Sequence, residues 1–230
     1  DEYGEWTAKM HLGRETRFYA DIAYDRAHDY ELRGNWTLYL RMGEKHPATK
    51  LTMGNDPNRD MQTINGYLVK KTVHPNSYFP NNSVSAGRID WAWPLVRMTE
   101  LYLNYAEAVN EAYGPNGTAG GLALTATEAV NKIRSRAGMP DVLDKFTGDA
   151  LSMRERIRNE RCVELAFEGH HYYHDIRRWK IAPQTMTQPL MGMYIEKTAV
   201  SAEYPRGRRY IRRAIPSNRQ ANWKNAMYYL

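Results

Sequence analysis

Apolar and polar positions first alternate along this chain with a period of two, and later with a period near that of a helix turn. In residues 17–24, Phe18, Ala20, Ile22 and Tyr24 fall on one side. In residues 36–42, Trp36, Leu38, Leu40 and Met42 do the same, and residues 67–73 form a third such stretch. Period-two alternation predicts short, half-buried strands. Turn-forming runs at 53–58 and 74–82 separate them, so residues 1–94 are expected to be loop-rich with a few strands.

From residue 95 to about 180 the period lengthens. Residues 95–113 place Met98, Leu101, Tyr102, Tyr105 and Val109 on one side, with a narrow polar stripe of Glu100, Asn104, Glu107 and Glu111. That pattern predicts a largely buried helix, stopped by Gly114 and Pro115. A second helix should open at Thr125, where Glu128 stands at capping-box spacing, and close at Gly138 and Pro140. A third should open near Ser152 and Glu155, again at capping-box spacing, and run to Gly169. Short links between helices favour antiparallel neighbours. Residues 106–111 and 127–132 are similar, but their offset is shorter than the roughly 34 residues of a tetratricopeptide repeat. Residues 181–230 read as C-terminal loops packing on the helices. The expected fold is mainly α, a helical scaffold with loop-rich segments and a few short strands.

Charge changes little in this picture. The chain carries a net +6 over 230 residues, yet the basic residues are spread out, unlike a nucleic-acid footprint. The densest run, residues 206–213, reads as a solvated basic strand or loop. One cysteine, Cys162, excludes an intramolecular disulfide and a cysteine-based zinc site; on an apolar helix stretch it reads as an inert buried thiol. No apolar run reaches the roughly 18 residues of a membrane helix. The start, DEYGEW, is not a Met and reads as the middle of a longer polypeptide. Seventeen tyrosines and six tryptophans would suit stacking on sugar rings as well as packing in cores.

The chemistry concentrates at residues 160–175. Glu160, Glu164 and Glu168 stand four apart and so share one helix stripe. Unpaired, they would repel one another; buried, they need cations. Arg97, Arg134, Arg136, Arg161 and Arg178 lie in or beside the helices, and Glu100 and Glu107 have the same need. A clamp of buried Glu–Arg pairs between helices satisfies both sets. The rival is a glycosidase using Glu164 and Glu168, whose carboxyls would stand about 5–5.5 Å apart for retention or about 6.5–9.5 Å for inversion. Catalytic carboxylates need an open cleft, whereas Val163, Leu165, Ala166 and Phe167 surround these. His170 and His174 have i, i+4 spacing, and with His171 and Asp175 they offer zinc-type ligands. Gly169 breaks the helix just before them, so no metal site is assigned and no cofactor is expected.

The motifs RMTELYLNYAEA (97–108), NKIRSRAG (131–138), ERCVELAFEG (160–169) and DIRRW (175–179), in this order, resemble the C-terminal half of the SusD/RagB family. RFYADI (17–22), GYLVKK (66–71), WKIA (179–182) and PLMGM (189–193) extend the resemblance to about residues 14–195. One departure is His171, where an Arg commonly follows the glycine–histidine pair.

The resemblance implies a tetratricopeptide-like α/α scaffold. It implies a surface-exposed outer-membrane lipoprotein of Bacteroidetes, acting in polysaccharide utilisation, with its anchor outside this chain. Such proteins bind nutrient without catalysis and pass it to a SusC-like TonB-dependent transporter. The ligand is an oligosaccharide or, alternatively, a peptide. Relatives are about twice as long, so a missing N-terminal half is a further expected partner. Ligand residues in the family come from variable loops; the candidates here are Tyr30, Trp36, Tyr39, Tyr78 and Trp91. The expected structural network comprises Arg97, Glu100, Glu107, Arg134, Glu160, Arg161, Glu164, Glu168 and Arg178.

Overall fold

The structure is a computed structural model that describes residues 8–27, 37–45, 47, 50, 63, 65–72 and 94–215. It divides into two compact units, one holding residues 15–17 and 92–179, the other holding the rest of the chain.

The first unit is helical. It contains α2 (Met98–Tyr113), α3 (Ala126–Arg136), α4 (Ala150–Glu164) and α5 (His171–Arg178); the numbering starts at a short α1, Thr16–Asp21, whose residue Arg17 belongs to this unit. Helix α2 packs against both α3 and α4. Their shared core is Ala106, Val109, Ala126, Ala129, Val130, Val142, Met153 and Ile157, beside a smaller cluster of Leu103, Ile133 and Leu165. Alanines on α2 and α3 let the two backbones approach closely, and Met153 and Ile157 fill the remaining space from α4.

The α3 capping box is formed: the Glu128 amide donates to the Thr125 hydroxyl at 3.1 Å, and the Thr125 amide donates to the Glu128 carboxylate at 2.8 Å. Helix α4 opens earlier than its spacing suggested. Its cap is Asp149, which accepts from the amides of Leu151 and Ser152, both at 2.9 Å. Ser152 instead donates its hydroxyl to Asp149 at 2.6 Å. Nor does α4 reach Gly169; it ends at Glu164, and Phe167 and His170 take positive φ of 64° and 61° in the turn that follows.

The buried face of α2 also differs from the expected one. Thr99, Leu103, Ala106, Val109 and Asn110 are buried, while Met98 and Leu101 are exposed. Asn110, fully buried, donates to the Ala150 carbonyl at 2.9 Å. This ties the end of α2 to the start of α4, and so pulls a polar residue inward. Gly117, after α2, has no room for a side chain: a Cβ would lie 2.2 Å from the Tyr113 carbonyl oxygen.

The second unit holds the rest of α1, two short antiparallel strands, and a hairpin. Strands β1 (Ile22–Ala23) and β2 (Leu68–Val69) pair Ile22 with Val69 and Ala23 with Leu68. Residues 17–21, expected as part of a strand, are helical, and the strand begins only at Ile22. Residues 37–40 keep the alternating burial, with Leu38 and Leu40 buried, but form no strand. The expected C-terminal loops contain helix α6 (Ala182–Met186) and a regular hairpin of β3 (Met191–Lys197) and β4 (Arg208–Ala214), registered from Met191–Ala214 to Lys197–Arg208. The core is Ala23, Tyr24, Ala27, Leu38, Leu40 and Ile195. Gly66, at φ +79°, lies so close to β3 that a Cβ would stand 2.1 Å from the Met193 carbonyl oxygen.

The basic run is not simply solvated. Arg208 is buried, donates to Asp25 at 3.0 Å, and also pairs with Glu44. Tyr210 donates its hydroxyl to Asp25 at 2.8 Å, and the Leu40 amide donates to the other Asp25 oxygen at 2.8 Å. Burial is the main reason the Tyr210 hydroxyl is held well above its ordinary pKa, and the Asp25 charge adds to it.

Candidate functional site

The helical unit brings most of the expected charged residues together along one face of α4. Glu160 accepts from Arg17 at 2.7 Å, from Arg134 at 3.0 Å and from Arg156 at 3.1 Å. One turn on, Glu164 accepts from Arg136 at 2.6 Å, from Arg17 at 3.0 Å and from Arg97 at 3.1 Å. Both glutamates are almost completely buried, at 1% and 2% exposure. Glu168, beyond the end of α4, takes both arms of Arg97, with Nε and Nη2 each at 2.7 Å. Arg97 Nη2 also donates to the Glu164 carbonyl at 3.1 Å, closing an orphaned end of α4.

A second cluster joins α2, α4 and α5. Asp175 is held by Arg161 through two bonds, of 2.9 and 3.1 Å, and by Arg178 at 2.8 Å. Glu107 accepts both arms of Arg178, at 2.5 and 2.6 Å, and the Trp179 ring N–H at 2.8 Å. Arg161 also donates to the Asn104 side chain at 2.7 Å. Burial alone would raise the Glu107 carboxyl; the bonds from Arg178 and Trp179 outweigh it and hold the group below its usual range. Burial opposes the charge on Arg97 and Arg178 likewise, and their carboxylate partners more than restore it.

Of the expected network, Glu100 stands apart: among the described residues its neighbour is the His171 ring, at 3.9 Å, and not an arginine. Arg17, Arg156, Asn104 and Asp175 take part without having been assigned to it. Arg156, four residues before Glu160, and Asp175, three before Arg178, were in reach of simple spacing. Arg17 lies far off in sequence, and its contact leaves no local trace.

This arrangement is a set of forks closed on carboxylates. Glu160 and Glu164 sit in a dry interior with guanidinium groups occupying their oxygens, and Glu164 and Glu168 share Arg97, so no glycosidic bond fits between them. Asp175 is occupied by two arginines, and among the described residues no three His, Cys, Asp or Glu side chains converge for a metal ion. The turn after α4 encloses a cavity of about 410 Å³ lined in part by Cys162, Phe167, His171 and Tyr172. Desolvation, with Asp175 nearby, raises the Cys162 thiol pKa and so favours the protonated form; the thiol is half-buried, not buried as its helix stretch suggested. Of the five aromatic candidates, Tyr39 is half-buried with the Arg26 guanidinium 4.2 Å over its ring; Tyr30, Trp36, Tyr78 and Trp91 lie outside the described residues.

Helices locked by buried Arg–carboxylate forks, in a chain with only a few short strands among the described residues, define a mainly α scaffold of SusD type. The SusD family model, SusD_RagB, matches residues 1–230, and the chain belongs to that family. It is similar to the crystal structure of a SusD-like protein from Bacteroides fragilis, at 29% identity and a TM-score of 0.68, covering 94% of this chain and 35% of that one. It is also similar to BT4246, at 27% identity and a TM-score of 0.70, covering 94% of this chain and 33% of that one. The selenomethionine form of BT4246 gives 27% identity and a TM-score of 0.72, covering 96% of this chain and 35% of the other. The chain thus spans about a third of the length of these solved structures. No curated protein matches it. Among the described residues, no helix is long and apolar enough to cross a membrane.

Proposed function

We propose that this chain is part of a cell-surface nutrient-binding protein that captures oligosaccharide and passes it, chemically unchanged, to a SusC-like TonB-dependent transporter in the outer membrane. The observation that carries this reading is the family match along all 230 residues. The sealed carboxylates agree with it: the acids best spaced for glycoside hydrolysis serve as acceptors for arginines between helices. Binding rests on stacking and polar contacts from the loop-rich segments, with Tyr30, Trp36, Tyr39, Tyr78 and Trp91 as the stacking residues to test. Attachment to the outer membrane by a lipid anchor completes the reading.

Isothermal titration of the intact protein against a panel of oligosaccharides tests it. Saturable binding with no release of shorter sugars over hours supports capture. Hydrolysis abolished by Glu164→Gln would replace it with catalysis, and binding of oligopeptides with no glycan binding would move the ligand class to peptides.

A further inference from the structure

The hairpin presents a cationic face that the buried pairing of Arg208 does not consume. Side chains alternate across a strand, so Arg209, Ile211 and Arg213 share one face of β4 with Gly192, Tyr194 and Glu196 of β3. Their register pairs Arg209 with Glu196, Ile211 with Tyr194 and Arg213 with Gly192. Glycine opposite Arg213 leaves room for its side chain to lean across the strand. Its guanidinium carbon lies over the Tyr194 ring, 3.4 Å from the centroid, with the side chain 47% exposed. Arg209 is exposed on the same face, about four residues or roughly 13 Å along the strand. Among the described residues no carboxylate lies within ion-pair distance of Arg209, and the only one near Arg213 is Glu196, at the outer limit of 3.9 Å.

An arginine held against an aromatic ring is a pre-organised fork. Its planar donors match the paired oxygens of a carboxylate or sulfate, and little side-chain freedom is left to lose on binding. Arg213 held in this way and Arg209 exposed further along the same strand, with an apolar Ile211 between them, fit a chain carrying regularly placed anionic groups. We propose that the Arg209–Arg213 face of the hairpin recognises an acidic oligosaccharide, through carboxylate or sulfate groups on its sugars. This deepens and rests on the reading of the protein as an oligosaccharide binder. Charged residues on an outer strand also discourage unwanted strand pairing, but that role alone would leave sugar affinity unmoved when the charges are removed.

The test is titration of the intact protein with oligogalacturonate, a sulfated chondroitin oligosaccharide, a neutral xylo-oligosaccharide and, as a polyanion without sugars, polyglutamate. The expected result is affinity for one acidic glycan at least about tenfold above both the neutral sugar and polyglutamate, since one charged fork is worth about that factor. That affinity should fall with added salt. The double variant Arg209→Gln/Arg213→Gln should lose the preference, and Glu196→Gln, which removes the one nearby like charge to the ligand, should strengthen it by about twofold. Arg212→Gln, on the opposite face of β4, should change it little. An unaltered circular dichroism melt shows that the variants still fold. Neutral sugars binding as tightly as acidic ones overturns the inference and leaves oligosaccharide capture standing. Equal loss with Arg212→Gln, or equal binding of polyglutamate, reduces the face to bulk charge and overturns it also. Failure of every sugar to bind overturns both readings.

Discussion

Glu160→Gln and Glu164→Gln are near-identical changes one helix turn apart, and the structure separates their consequences. Glu160 faces Arg17, Arg134 and Arg156. Remove its charge and Arg17 keeps Glu164 and Glu15, and Arg156 is exposed enough to reach water. Arg134 has no such outlet: it is buried, and its other side-chain bond goes to the neutral Pro140 carbonyl at 2.8 Å. An uncompensated buried charge costs about 3–5 kcal/mol. Glu164 faces Arg17, Arg97 and Arg136. Losing it leaves Arg17 with Glu160, Arg97 with both oxygens of Glu168, and Arg136, whose side chain is 57% exposed, free to hydrate. The loss there is of charged hydrogen bonds with rescue at every donor, about 1.5–3 kcal/mol.

Urea unfolding of the intact protein, followed by circular dichroism, measures both through the midpoint at constant slope. Glu160→Gln should lie lower than Glu164→Gln by about 1.5–2 kcal/mol, the difference between the two ranges. Replacing Arg134 with Met in the Glu160→Gln background should recover part of the loss, because the stranded charge is then gone. Equal midpoints for the two single variants, or no recovery in the double, would refute the accounting by stranded charge.

Other expectations follow from single groups. His11 is buried among Phe18, Tyr24, Tyr67 and Tyr210, and desolvation lowers its pKa from 6.5 to about 4. Between those values the unfolded chain holds a proton that the folded chain refuses, so stability rises with pH from about 4 to 6.5 and is flat above. The change is at most about 3 kcal/mol, and a His11 ring proton titrating near 6.5 in the folded protein by NMR would contradict it. Gly66→Ala should destabilise the hairpin unit by more than about 2 kcal/mol, because positive φ adds strain to a backbone collision; a melt within a degree of the parent would show that the approach to Met193 relaxes freely. Glu107, held below its ordinary range, contributes stability that is present above pH 4.5 and lost as pH falls through its lower folded value. Arg178→Met should therefore move acid unfolding to higher pH, and an unshifted acid midpoint would count against the fork.

The helices were legible where local chemistry determines them. Thr125 and Glu128 satisfy each other's amides with no help from the rest of the chain, so the start of α3 follows from spacing. The buried side of α2 was not legible, because it depends on where α3 and α4 lie. Leu101 and Met98 are as apolar as Leu103, but Asn110 reaching the Ala150 carbonyl turns the helix toward the Leu103 side. Three glutamates four apart announced that cations were needed, and the arginines near them in sequence were the natural candidates. Arg17 escaped because a salt bridge spanning 143 residues is a tertiary fact. The hairpin escaped for a related reason: Arg208 reads as a surface residue until Asp25 and Glu44 are seen to be waiting for it.

The placement of charge says how the scaffold is held. Apolar contacts between α2, α3 and α4 are made largely by alanine, valine and isoleucine, which would tolerate a slip of one helix against another better than a fork tolerates a misplaced carboxylate. Glu160 and Glu164 draw arginines from α1, from the residue capping α2, from α3, and from α4 itself. A helix displaced by one turn, about 5.4 Å, breaks several of these bonds at once and leaves charges buried. Buried ion pairs are weak sources of stability, but in this geometry they penalise every wrong register. A scaffold held that way can carry loops of unrelated sequence without losing its alignment, which is what the proposed nutrient-binding role would require of it.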